Sequence, residues 1–525
     1  MNRNSKLSQQ FFARILLLSF FLQSCDASID LPNQRKRKRL DDEQEGGRRE
    51  IVSREAEEAT ELGKFDIVPI ELLQAIWGYA GTDVMKEVRG VNQTFYRLTT
   101  GYDQPGLVGV ENRPSQYINT DAWSINKEID FGGNKLSKLT PETIPSFPFY
   151  QLMGKVKNLS KEFWPYLQES SVHTLHLNHN QISAEGATQL VQHLQGSRVH
   201  TLDLGYNQIG DTGTSQLAEH LQGTHVHTLD LSVNRIGDAG ASQLAQHLQG
   251  SCVHTLDLSG NKIGDAGASQ LAQHLQTSSV HTLYLGYNQI GAAGASQLAQ
   301  HLQGTRVHTL DLRNNQIGDA GASQLAQHLQ GTSVHTLDLR NNQIGDVGAS
   351  QLAQHLQGSS VHILDLSLNQ IGAEGASQLV QHLQGTSVHT LGLANNPIGA
   401  VGASQVAQHL QGTRVHTLYL YNNQIGAAGA SQLAQHLQGS SVHTLDLGWN
   451  QIGDEGAIQL AQHLQGSRVN TLNLRYNQIG DVGARQLAQH LQGSSVHTLD
   501  LSWNQIGDAT QQLLKEEYPH INWIF

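Results

Sequence analysis

The chain is short of most of what chemistry is built from. Two cysteines, Cys25 and Cys252, are too few for a disulfide framework, and neither sits in a zinc, iron–sulfur or redox motif. The sequence carries no phosphate-binding glycine loop, no catalytic-triad signature and no metal-ligand spacing, so no cofactor is expected. Charged residues make up 15% of the 525 positions and aromatics 6%. Bases are scarce where the chain is most regular. From Val172 onward 11 Lys and Arg face 22 Asp and Glu, and only Lys262 and Lys515 among them are lysines. An acidic body speaks against nucleic acid as a partner, because phosphate binding rests on neutralisation by Lys and Arg. The N-terminal apolar run, "ILLLSFFL" at residues 15–22, has eight residues, where a membrane-crossing helix needs about 20.

What is abundant is glycine (52) and histidine (28), and both recur on a schedule. The asparagine of an "LxLxxN" pattern falls at Asn180, Asn207, Asn234, Asn261, Asn288, Asn315, Asn342, Asn369, Asn396, Asn423, Asn450, Asn477 and Asn504. The interval is 27 residues each time, giving thirteen rungs. In the unit "VHTLDLSVNRIGDAGASQLAQHLQGSC", Val226, Leu229, Leu231 and Ile236 are the apolar positions of a short strand and its exit. Asn234 places its amide on backbone groups of the turn, so stacked rungs make an asparagine ladder. Gly237 and Gly240 suit a tight turn, Asp238 an N-cap, and Gly250 a helix end. Ala241, Leu244, Ala245 and Leu248 follow at i, i+3, i+4 and i+7, one apolar face of a helix. A single strand and helix cannot bury that face alone, so the units must stack into a solenoid.

"LxLxxNxI" followed by "GxxGAxxLAxxL" resembles the ribonuclease-inhibitor-like subfamily of leucine-rich repeats, over about two-thirds of the chain. The resemblance implies an α/β fold, a curved horseshoe solenoid with a parallel sheet on the concave face and helices on the convex face. It also implies a protein-binding function without enzymatic activity. The repeats occupy residues 172–525, with the degenerate helix at 159–170 as an N-terminal cap. At the other end Ile521, Trp523 and Phe525 are available to cover the last rung.

Ahead of the repeats the chain changes character. Arg3, Lys6 and Arg14 precede the apolar run, as in an export signal over residues 1–27. Two readings of its end are open: "LQSC" resembles a lipobox with Cys25 as the lipidated residue, and Ala27 suits ordinary cleavage. Either places the protein outside a bacterial cell, secreted to a host or anchored at the surface. Residues 28–64 form a charged linker too polar to fold, whose "RKRKR" reads either as a nuclear-localisation patch or as a solvated tether. Residues 65–98 place apolar side chains at helical spacing, and the pattern "VPIELL" resembles the opening of an F-box. The residues carried over are Pro69, Leu72, Leu73 and Ile76, with Val91 and Phe95 at the closing end. Val68 stands where the F-box opens with Leu, and Asn92-Gln93 stand where it closes with Cys-Arg. An F-box ahead of leucine-rich repeats implies a substrate-recruiting adaptor of a ubiquitin ligase. Residues 99–171 are a connector and cap, and 99–157 carry no recognisable chemistry.

Within the repeats, twelve histidines share the position of His227 and twelve more that of His247. Catalysis needs a unique constellation, and a residue repeated on every rung is the opposite, so these columns read as scaffold. Stacked imidazoles gain like charge below pH about 6.5, which predicts lower stability towards pH 5. Aspartate recurs as Asp203, Asp230, Asp257, Asp311, Asp338, Asp365, Asp446 and Asp500, outward on the concave face by strand alternation. That acidic ladder reads either as a lining for a basic partner or as an inheritance from a duplicated unit. Departures from the repeat are more informative. Arg313, Arg340, Tyr419, Tyr421, Trp449, Arg475, Tyr476 and Trp503 are residue types enriched at binding hot spots. Trp449, Tyr476 and Trp503 share one position on three successive rungs, which predicts an exposed aromatic stripe that contacts a protein target. The alternatives to a ligase adaptor are a bacterial surface lipoprotein binding an external protein and, with no residue in its favour, a GTPase-activating protein.

Overall fold

The computed structural model describes residues 128–130, 151–153 and 172–525, all in the unit Arg89–Phe525. The export signal, Cys25, the linker, the F-box-like residues Pro69 to Phe95 and the cap at 159–170 lie outside the described residues.

Each rung lays down one three-residue strand and one helix of eight to eleven residues. The described strands form one parallel sheet in sequence order, sixteen in all, β1 (Glu128–Asp130) and β2 (Gln151–Met153) followed by fourteen from β3 (Thr174–His176) to β16 (Asn522–Ile524). The first two come from the connector, so the sheet begins before the repeat motif does. Register is strict: Thr201, Thr228 and Thr255 align, as do Leu202, Leu229 and Leu256, and Asp203, Asp230 and Asp257. A 27-residue period therefore stacks identical side chains in columns.

The apolar pattern is buried as the sequence predicts. Val226, Leu229, Leu231, Ile236, Ala241, Leu244, Ala245 and Leu248 have no exposed surface, and the later rungs up to the last bury apolar side chains at the same positions. Full burial of one Leu or Val side chain contributes roughly 1.5–3 kcal/mol. After the last repeat helix Ile521 is buried, Trp523 and Phe525 pack against the core, and the Trp523 indole N–H donates to the Tyr518 carbonyl at 3.1 Å.

The asparagine ladder is buried and works between rungs. Asn261 Oδ1 accepts the N–H groups of Asn234 and Ile236 from the preceding rung at 2.9 and 3.0 Å. Its Nδ2 donates to the carbonyls of Leu231, Leu258 and Ser259 at 3.0, 2.9 and 3.3 Å. One amide thus satisfies backbone groups that the turn leaves without strand or helix partners.

Two local expectations change. Asp238 does not cap its own helix: Gly237 is the N-cap, and Asp238 is the first helical residue. Its carboxylate reaches the next rung, where Oδ1 accepts the Gly264 N–H at 2.7 Å. Gly240 serves helix packing rather than the turn, since a Cβ there would stand 2.9 Å from the Asp211 Cα of the neighbouring helix.

The Asp238 contact is one half of an alternation. Where a rung has Asp at this position, as at Asp211, Asp238, Asp265, Asp319, Asp346, Asp454 and Asp481, the next rung's glycine donates to that carboxylate. Where it has Ala, as at Ala184, Ala292, Ala373, Ala400 and Ala427, the following Gly210, Gly318, Gly399, Gly426 and Gly453 take φ of +59° to +66°. Their N–H groups then donate to the carbonyl of an asparagine one rung further on, as Gly399 does to Asn423 at 2.9 Å. The side chain of one rung sets the backbone of the next. Gly399→Ala is expected to cost about 1–2 kcal/mol, because a Cβ disfavours positive φ. Gly264→Ala, at φ −100° with its added carbon 3.5 Å from Asp238, is expected to be near neutral. Urea unfolding of the two variants checks this, and equal losses would show that φ is not the cause.

Candidate functional site

The two histidine columns are structural in position. From His173 to His443 the rings succeed one another at centroid distances of 5.0–6.4 Å, a run that Asn470 ends. Burial, with like charge on neighbouring rings, holds His200, His254 and His389 below the usual imidazole range. The helical column is bridged across rungs by glutamine amides, as from Gln354 to His382 and from Gln435 to His463. Among the described residues no group of three or more His, Cys, Asp or Glu is placed to hold a metal ion. No described helix is long and apolar enough to cross a membrane.

The acidic column lies on the sheet face but is partly committed to the fold. In all eight aspartates Oδ1 accepts the backbone N–H two residues on, at 2.7–3.0 Å. Each carboxylate therefore closes its own turn with one oxygen, and in Asp203, Asp311, Asp338 and Asp365 the second oxygen also meets a neighbouring side chain. Burial pushes Asp230 up to about 6, and the charges of Asp203 and Asp257 add to the effect. Burial raises Asp311, Asp365 and Asp446 as well. Tyr284, Gly392, Tyr419 and Asn473 interrupt the column.

The two central arginines are held by this ladder. Arg340 Nε lies 2.9 Å from Asp338 Oδ2 and its second terminal nitrogen 2.5 Å, with Asp365 Oδ2 at 3.4 Å from Nε. Its pKa is raised by the Asp338 hydrogen bonds. Arg313 pairs with Asp311 at 3.2 Å and lies over the Tyr287 ring at 5.9 Å. These guanidiniums neutralise buried and half-buried acids on the sheet face, which reduces what they offer to a ligand.

The C-terminal aromatics are brought together. Trp449 and Tyr476 stand 4.5 Å apart between ring centroids, and Tyr476 and Trp503 are stacked at 5.2 Å with planes within 6°. Tyr421 joins at 6.1 Å from Trp449, and Arg475 lies over the Tyr476 ring at 5.5 Å. Gly448 leaves the gap in which Tyr421 and Arg475 meet, since a Cβ there would sit 2.9 Å from each. Tyr419, two residues before Tyr421 and in the acidic column, is 40% exposed. Trp449, Tyr476 and Trp503 all have φ between 53° and 58°, a region unfavourable to bulky residues. They line an open cleft of about 340 Å³ together with Asn422, Gln451, Gln478 and Gln505.

Several neighbours escaped sequence reasoning. Tyr206 and Tyr287, 53% and 58% exposed, occupy the same column as Trp449 near the other end of the array and its middle. The position before the ladder asparagine was the available signal. His176 Nδ1 meets Asp203 Oδ2 at 3.0 Å, and Asn178 donates to the same oxygen at 2.8 Å. His176 stood out only as a histidine belonging to neither column.

Parallel strands alternating with helices on a 27-residue period, locked by a buried asparagine ladder, define an α/β repeat solenoid with its variable side chains on the sheet face. The Leucine Rich repeat family model matches residues 169–191, 199–218, 224–245, 251–272, 278–299, 306–326, 332–353, 359–380, 440–461, 469–488 and 494–509. The chain is a leucine-rich repeat protein. Between the eighth and ninth matches the same rungs continue through strands Thr390–Gly392 and Thr417–Tyr419. A search of curated proteins gives no match. Among solved structures, an internalin of Listeria monocytogenes is similar at 17% identity and a TM-score of 0.35, over 78% of this chain and 88% of that one. A leucine-rich repeat protein of Leptospira interrogans is similar at 20% identity and a TM-score of 0.37, over 80% and 93%. TLR13, solved as a complex with ssRNA13, is similar at 20% identity and a TM-score of 0.43, over 70% and 47%.

Proposed function

We propose that the protein is a non-enzymatic interaction scaffold, exported from a bacterial cell, that holds a target on the C-terminal part of its sheet face. The carrying observation is the continuous run of Tyr421, Trp449, Tyr476 and Trp503, of which Trp449 and Trp503 are 44% and 61% exposed. Aligned exposed aromatics are the residue type that dominates binding energy. Repeat length and helix motif support assignment to the ribonuclease-inhibitor-like subfamily. The F-box-like pattern at Pro69, Leu72, Leu73, Ile76, Val91 and Phe95 supports a host-directed role, in which that segment docks a ubiquitin-ligase adaptor while the repeats hold the substrate. Co-purification of the full chain with such an adaptor tests this. The paired substitution Leu72→Arg and Leu73→Arg is expected to reduce capture about tenfold or more, by placing charge in an apolar contact. Unchanged capture rejects the adaptor role.

A second reading is favoured by "LQSC": a surface lipoprotein with Cys25 acylated, binding an external protein without a ligase link. Mass spectrometry of the mature N-terminus separates the two, since an acylated Cys25 selects the lipoprotein. Both readings use the same aromatic face.

A further inference from the structure

The cleft over the last three rungs is neutral. Trp449, Tyr476 and Trp503 line it together with Asn422 and with Gln451, Gln478 and Gln505, which stand two positions further along each rung. Arg475 lies over Tyr476 but does not line the cleft. The three glutamines are exposed, and among the described residues none of their carboxamides is bonded to another residue. Among the lining residues only the Tyr476 phenol is ionisable, so the lining itself carries no charge with which to select phosphate, sulfate, carboxylate or ammonium groups.

What it does present is specific in kind. Each carboxamide offers a donor and an acceptor together, which is what a hydroxyl group, itself both, requires. The aromatics offer apolar ring edges, since Tyr476 is itself stacked on Trp503 and lies under Arg475. Trp503 has a single ring partner among the described residues, Tyr476, so its other face is not covered by a ring. The aromatic–glutamine pair is repeated on three successive rungs, 4.5 and 5.2 Å apart between rings. A site that repeats suits a ligand that repeats, with an apolar face and a hydroxyl-bearing edge in each unit. A proline-rich helix also repeats and packs on aromatics, but its carbonyls only accept hydrogen bonds, leaving the acceptor half of each carboxamide unused.

We propose that this cleft binds a neutral linear glycan, free or carried on the target. The proposal rests on the reading that the C-terminal sheet face is the binding face, and adds the chemical class of what it holds. The full chain is titrated calorimetrically with a β-1,4-linked glucose hexasaccharide, a β-1,4-linked N-acetylglucosamine hexasaccharide and a decaproline peptide. Saturable binding of at least one saccharide is expected, weakened about tenfold or more by Trp503→Ala and separately by Gln478→Ala. Tyr206→Ala, in the same column at the far end of the array, is expected to change nothing. Binding of neither saccharide, binding indifferent to both cleft substitutions, or binding of decaproline in place of the saccharides overturns the proposal. Combined replacement of Trp449, Tyr476 and Trp503 by Ala then separates the two levels. If target capture is lost although no saccharide binds, only the glycan class fails; if capture persists, the binding face itself is wrong.

Discussion

Asn261→Ala is expected to lower stability by about 3–5 kcal/mol, because the alanine leaves two buried backbone N–H groups and the Leu231 carbonyl without partners. The groups are identifiable. The N–H of Asn234 and of Ile236 both point at Asn261 Oδ1, and the carbonyls of Leu231 and Leu258 both receive its Nδ2. The Leu258 carbonyl keeps the Asn288 Nδ2 donor at 3.0 Å, but the two N–H groups and the Leu231 carbonyl have no other partner among the described residues, and water is excluded, Asn261 being only 6% exposed. Asn261→Asp keeps the acceptor and turns a charge onto two carbonyls, so it is expected to be no better at neutral pH. Lys262→Ala, one residue along and exposed, serves as the neutral control. Urea unfolding measures the loss. Hydrogen exchange adds its location: in an array whose rungs couple to nearest neighbours, amides of the rungs beginning at Val226 and Val253 should lose protection before those near the ends. A loss below 1 kcal/mol, or one spread evenly over all rungs, would remove the ladder as the lock between rungs.

How much of this was readable from the sequence depended on whether a feature was periodic, local or neither. The core positions Leu229, Leu231, Leu244 and Leu248 and the asparagine ladder were legible because each recurs every 27 residues and plays the same part in every rung. Asp238 was misassigned for the same physical reason that makes it interesting. Its hydrogen bond runs to Gly264, 26 residues away, and a cap rule looks only along its own helix. The clue was nonetheless present, in the exchange of Asp for Ala at Ala292, Ala373, Ala400 and Ala427. The aromatic stripe stood out because Trp449, Tyr476 and Trp503 break the repeat. Gln451, Gln478 and Gln505 did not, because glutamine holds that position in most rungs, and only their apposition to aromatic rings makes them part of a cleft. The acidic ladder was visible as a column. That each carboxylate spends one oxygen on the N–H two residues on was not, since the alternation of a strand gives direction and not hydrogen bonding.

Asp230→Asn is expected to stabilise the protein by about 1–2 kcal/mol at pH 7.5, and the gain should vanish as pH falls through 6 towards 4. Asp230 takes up its proton at about 6 in the folded chain, against 3.8 when exposed, because burial penalises its charge. A carboxyl whose folded pKa is raised stabilises the fold below its unfolded value, and that contribution is lost as pH rises through the folded one. At neutral pH the charged form is therefore a burden, which an amide does not carry. The geometry tolerates the exchange, for Asn473 occupies the same column and accepts the Arg475 N–H at 3.0 Å, as Asp230 accepts that of Ser232 at 2.7 Å. The histidine column acts in the opposite sense. His200, His254 and His389 are held below 6.5, so their contribution is present above that value and lost as pH falls beneath it. Acidification from pH 7.5 to 5 thus weakens one column while relieving the other, and the wild-type melting temperature should fall less than the imidazoles alone predict. Asp230→Asn removes part of the relief and should steepen that fall, a comparison that thermal unfolding of the two proteins across pH 4 to 7.5 makes directly. Parallel curves would mean that the Asp230 carboxylate is as well solvated in the fold as in the open chain.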